Sequence, residues 1–170
     1  MNKPFEYSNT ITAGMGMLLS YIGFIFIVTI GVESGSYWNL TWGIIYGITL
    51  MLLHTSSTLY HGTMNSNLKK KFRLMDQSCI YLLIAGTYTP IALINLYGAF
   101  GLSIFSVIWL LCVLGIFLKI KNIEPFRNFE VYLCLFMGWS ALIGIKELVN
   151  VMDINGVLLI VVGGLFFSIG

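Results

Sequence analysis

Apolar runs of about 20 residues recur along the whole chain, and nothing constrains its fold more. One of them, "TAGMGMLLSYIGFIFIVTIGV" (residues 12–32), carries no charged residue. Only 9% of the chain is charged, against about a quarter in an ordinary soluble domain. So few charges cannot solvate a globular surface. A run of about 20 apolar residues matches the length a helix needs to cross the hydrocarbon core. The runs are continuously apolar and do not alternate, which disfavours a membrane barrel. The fold class expected is all-α: a polytopic transmembrane helix bundle in one domain, residues 1–170. No cleavable leader is expected, because the first apolar run is long and lacks a small-residue cleavage site.

Six segments can be placed, at roughly 11–32, 40–62, 74–97, 100–120, 128–149 and 156–170. With the N-terminus inside, Lys3, Lys69, Lys70, Lys71, Arg73, Lys119, Lys121 and Arg127 fall on the cytoplasmic side and only Lys146 toward the other. Lysine and arginine concentrate in cytoplasmic loops, so this asymmetry sets the orientation. The basic run "KKKFR" is read as a topology signal, and no nucleic-acid signature is present. Cys79, Cys112 and Cys134 lie inside apolar segments without a C-x-x-C spacing, and read as small buried side chains. Trp38 and Trp42 fit an interfacial aromatic belt, and the glycines of "GMG", "GGL" and "YGAFG" fit close helix packing or turns. The last segment supplies about 22 Å of helix against a core of about 30 Å. It stops without a polar anchor, so the chain is expected to be cut short.

The polar residues then fall into a pattern. Glu6, Asn9 and Thr12 lie at the cytoplasmic start of segment one, and Ser57 and His61 at the cytoplasmic end of segment two. Ser57 and His61 are four apart and share a helix face. Asp76 and Gln77 lie at the cytoplasmic start of segment three. Ionisable groups at membrane depth are costly and point to function. A plainer reading stays open for each. Glu6 and Asn9 suit a solvated helix N-terminus, and Asp76 could pair with Arg73 or cap its helix. His54 is seven residues before His61, about 10 Å along a helix, so the two cannot bind one metal ion together. It reads as a core histidine among hydroxyls.

The stretches "SSTLYHG", "KFRLMDQSCIYLLIAGTYTP", "MGWSAL" and "GGLFFSIG" resemble, in this order, the bacterial haemolysin III proteins. Those belong to the progestin and adipoQ receptor superfamily. The resemblance implies seven helices, a cytoplasmic N-terminus and the bacterial inner membrane, with membrane lipids as partners. It also implies a zinc-dependent membrane hydrolase acting on ceramide-like amides. The family's Glu-x-x-Asn-x-x-x-His motif reads here as Glu6, Asn9 and Ala13, so its histidine is missing. The Ser-x-x-x-His motif is intact as Ser57 and His61, with His61 the implied zinc ligand. Asp76 matches the aspartate that holds the metal-bound water, followed here by Gln77 where many members have histidine. A final His-x-x-x-His pair, expected on a seventh helix, is absent from this sequence. Catalytic zinc uses about three protein ligands plus an open position for water, so the site is expected to be incomplete in this chain. The alternatives are a non-enzymatic membrane protein, pore-forming or involved in membrane stress, and a degraded copy.

Overall fold

The structure, a computed structural model, describes residues 3–96, 98–122 and 124–169, and the side chains of residues 7–96, 98–122 and 129–169. The helices are α1 (Lys3–Glu33), α2 (Tyr37–Gly62), α3 (Ser66–Pro90), α4 (Gly98–Ile120), α5 (Glu124–Trp139), α6 (Ile145–Val151) and α7 (Ile154–Ile169). Among the described residues there is no strand. The protein is an all-α multi-pass membrane bundle, as its composition requires. Four stretches are long and apolar enough to cross a membrane: Tyr7–Glu33, Ser66–Asn95, Gly98–Ile120 and Phe129–Val151. The apolar Ile154–Ile169 is shorter. Helix α2 has the length, about 39 Å for 26 residues, but its two histidines and its hydroxyl run dilute its hydropathy.

Local chemistry sets the helix ends. Gly35 takes φ +64° in the α1–α2 turn, a conformation that costs glycine little. Ser36 then caps α2, its hydroxyl accepting from Asn39 N at 3.3 Å. Asn65 caps α3 by accepting from the backbone N–H groups of Asn67 and Leu68, at 3.0 and 3.2 Å. Helix α3 therefore begins at Ser66, earlier than the apolar pattern alone places it. The lysine run occupies its first turns instead of a loop, since lysine is a good helix former and the cap lies upstream of it.

Helix α3 is the axis of the bundle. Half of its apolar window is buried, against 6% of the window in α1. Tyr81, Ile84, Ala85 and Tyr88 of α3 pack with Ile108 and Cys112 of α4 and with Leu133 and Met137 of α5. Large apolar side chains such as Ile11, Leu18, Phe26, Leu110 and Phe136 lie exposed on the outside, as a lipid-facing surface requires. Without a hydrophobic drive between helices in lipid, small residues and hydrogen bonds must hold the bundle together. At Gly86 an added Cβ would meet Thr49 Oγ1 of α2 at 2.0 Å. Nothing larger than a hydrogen fits there.

Two backbone irregularities interrupt the rods, and side chains take up the groups they free. Pro90 has no N–H to give the helical ladder, and Ile91–Asn95 continue as a π turn. The indole of Trp38 donates to the Leu93 carbonyl there at 3.1 Å. Trp38 is 52% exposed, so it combines the expected surface position with a specific bond to α3. Between α5 and α6, Ser140–Gly144 tighten into a 3-10 turn. The Tyr88 hydroxyl donates to Gly138 O at 2.8 Å and the Ser140 hydroxyl to Met137 O at 2.6 Å. The two hydroxyl oxygens lie 3.0 Å apart. This buried polar knot ties α3 to the break in the fifth rod.

Candidate functional site

The site forms where the end of α2 crosses the first third of α3. On α2, Ser57 and His61 stand one turn apart on the face toward α3. On α3, Asp76 lies ten residues inside the helix that opens at Ser66, so it caps nothing. Ser57 and His61 of α2 both lie near enough to the Asp76 carboxylate of α3 to act on it electrostatically. Beside them Ser56, 2% exposed, donates to the Leu53 carbonyl of its own helix at 2.9 Å and lies near Cys79, one turn beyond Asp76. The close packing of α2 on α3, tightest at Gly86 and Thr49, brings the three side chains near one another.

The surroundings are aromatic and basic. The rings of Tyr60 and His61 lie 4.7 Å apart, and the Lys69 ammonium sits over the Tyr60 ring at 5.3 Å. That cation–π contact joins the lysine run of α3 to the His61 end of α2. Helix α1 reaches the same place, with Thr10 Cγ2 at 3.6 Å from where a Cβ on Gly62 would stand.

The other expected residues divide. Asn9 is exposed on α1, and Thr12 is exposed with its hydroxyl bonded to the Ser8 carbonyl of its own helix. Neither has a described contact with Ser57, His61 or Asp76. The side chain of Glu6 lies outside the described residues. Gln77 turns away from Asp76 and lines a separate cavity. His54 packs against α1, where a Cβ on Gly16 would meet its Nδ1 at 2.6 Å. The glycine of "GMG" thus makes room for an imidazole between α1 and α2.

Sequence reasoning missed two features. One is a largely apolar cavity of about 400 Å³ between α2, α3, α5 and α7, with Tyr46, Thr87 and Trp139 in its wall. The other is the Lys119–Glu130 ion pair at a second cavity. The signal for the pair was present, a base at the end of one apolar segment and an acid at the start of the next. Nothing local says that they meet.

Among the described residues, no group of three or more histidines, cysteines, aspartates or glutamates is placed to hold a metal ion. One imidazole and one carboxylate fall short of the three protein ligands a catalytic zinc uses. The described donor set does not fit zinc.

The family model described as haemolysin-III related matches residues 1–170. The chain belongs to this family. This haemolysin-III relative is 36% identical over 165 residues to the hemolysin-3 homolog of Bacillus subtilis, covering 97% of this chain and 78% of that protein. It is 35% identical to hemolysin-3 of Bacillus cereus, covering 97% and 75%. Across 142 residues it is 26% identical to the human monocyte to macrophage differentiation factor, covering 81% of this chain and 58% of that one. No solved structure matches the chain.

Proposed function

We propose that this haemolysin-III relative is a membrane-embedded hydrolase of lipid amides, working at the cytoplasmic face of a bacterial inner membrane with its N-terminus inside. The observation that carries the reading is the juxtaposition of Ser57, His61 and Asp76 across two helices at membrane depth. A carboxylate held there costs solvation and persists for a use. In the proposed reaction Asp76 takes a proton from a water molecule as its oxygen attacks the amide carbon. The C–N bond then breaks and the amine leaves with a proton. Ser57 fixes the carboxylate's orientation, and His61 stabilises its charge. Zinc is the cofactor that the family resemblance implies, and the described donors fall short of the three ligands it would need.

The test is release of labelled fatty acid from an amide lipid by the full chain reconstituted in vesicles. A general base contributes typically about 10²–10⁴-fold, so Asp76→Asn is expected to lower the rate by that factor and Ser57→Ala by less. Equal rates for all three proteins would reject the hydrolytic reading.

One relative's name favours a second reading. The Bacillus cereus protein is called a hemolysin, which fits a membrane-permeabilising role. Dye leakage from the same vesicles distinguishes the two, because permeabilisation through the bundle is expected to survive Asp76→Asn.

A further inference from the structure

Where α4 ends and α5 begins, the Lys119 ammonium pairs with the Glu130 carboxylate. Both side chains are largely withdrawn from solvent, at 14% and 22% exposure. They form the charged edge of a cavity of about 620 Å³. The rest of its wall mixes two surfaces. Gln77 and Tyr81 of α3 bring polar groups, while Ile80, Leu135, Phe167 and Ile169 bring hydrocarbon. The walls come from α3, α4, α5 and α7, so the cavity is a product of helix assembly.

The depth of the charges is informative. Lys119 lies in the last turn of α4, and Phe167 and Ile169 lie in the last turn of α7. The ion pair therefore sits at the end of the spans, at the level of lipid head groups, with hydrocarbon wall beside it. Two charges drawn out of water are well compensated only when further hydrogen bonds satisfy the groups their own contact leaves over. Lysine has three N–H donors and a carboxylate has two oxygens. The mutual contact uses Nζ and Oε2, and neither side chain makes a further hydrogen bond or ion pair among the described residues.

We propose that this cavity binds a phospholipid whose head group carries a primary ammonium, the phosphatidylethanolamine class. Its phosphate takes the remaining Lys119 donors, its ammonium donates to Glu130 Oε1, and its upper chain lies along Ile80, Leu135 and Phe167. The chemistry selects among lipids. An anionic head group finds Lys119 but is repelled by Glu130. A quaternary ammonium has no N–H to give the carboxylate. A neutral zwitterion with a primary amine matches both members of the pair at once. The proposal does not rest on the hydrolytic reading, because Ser57, His61 and Asp76 are absent from the cavity wall.

The test uses the full chain in mixed-lipid nanodiscs, with bound lipid counted by native mass spectrometry. For the unaltered protein, dioleoyl-phosphatidylethanolamine is expected to be retained at least tenfold above dioleoyl-phosphatidylcholine at equal bulk fractions. Glu130→Gln is expected to cut that preference to within twofold, and Lys119→Gln to lower retention of both lipids. The inference is overturned if the unaltered protein shows no enrichment, or if phosphatidylglycerol is retained as strongly as phosphatidylethanolamine. It is equally overturned if Glu130→Gln keeps the full preference. The comparison between lipids on the unaltered chain needs no variant, so it decides the matter even where a substitution prevents folding.

Discussion

Replacing Gly86 with alanine places a methyl carbon 2.0 Å from Thr49 Oγ1 and 2.9 Å from both Thr49 Cβ and Cγ2. Ordinary contact begins near 3.4 Å, so the hydroxyl is roughly 1.4 Å too close. Rotating Thr49 does not relieve this, because Cβ stays where the backbone holds it. Rotation would also break the bond from Thr49 Oγ1 to the Tyr46 carbonyl, now 2.8 Å long. Helices α2 and α3 must instead part by at least about half an ångström. Overpacking of this kind costs about 1–3 kcal/mol, and 2 kcal/mol is roughly a thirtyfold change in the folding equilibrium. Titration of the detergent-solubilised protein with sodium dodecyl sulfate, followed by circular dichroism, measures the loss. The decisive arm is a double-mutant cycle. Thr49→Gly removes all three clashing atoms, so it should restore most of the stability lost in Gly86→Ala, with a coupling of about 1 kcal/mol or more. Ser57 lies eight residues from Thr49 and Asp76 ten from Gly86, about 12 and 15 Å along their helices. Parting the helices at Gly86 should therefore loosen the polar cluster as well. A Gly86→Ala protein as stable as the original, with additive Thr49→Gly, would refute the claim that this contact sets the α2–α3 spacing.

Other outcomes follow from the same structure. Tyr88→Phe strands the Gly138 carbonyl beside the 3-10 turn and should cost about 1–3 kcal/mol in the same titration. Gly101→Ala drives a Cβ to 2.1 Å from the Ala92 carbonyl oxygen, whereas Gly14→Ala meets nothing within 4 Å. The first should destabilise strongly, while the second should be neutral or gain up to about 1 kcal/mol of helix propensity. A single cysteine at position 70, in a chain whose Cys79, Cys112 and Cys134 are alanine, should react with a membrane-impermeant maleimide only after cells are broken. One at position 146 should react in intact spheroplasts. The reverse pattern would invert the proposed orientation.

Much of the architecture is legible from local sequence, because hydropathy and charge act locally. A segment that cannot be hydrated must enter the bilayer as a helix whatever its neighbours do, and lysines at its ends bias its direction. The haemolysin III resemblance rests on short stretches of this kind and agrees with the family match. The spacing of Ser57 and His61 alone puts them on one helix face. Helix ends were less legible where a polar cap and a basic run lie outside the apolar core, as at Asn65 and the lysines that follow.

What sequence could not decide was the partner of each polar group. Asp76 was compatible with Arg73, with a helix cap or with a site. That α3 opens ten residues earlier, at Ser66, excludes the cap, and the packing of α2 on this part of α3 brings Ser57 and His61 near the carboxylate. Gln77, one residue on, was turned about 100° away toward the cavity of Lys119 and Glu130. That ion pair, the Tyr88–Ser140 knot and the Trp38–Leu93 bond join residues distant along the chain, and each depends on a rotation between helices that no local pattern encodes. Apolarity determined that these helices exist and lie in lipid. Small residues such as Gly86, which let backbones approach closely enough to lock one rotation, determined which side chains meet.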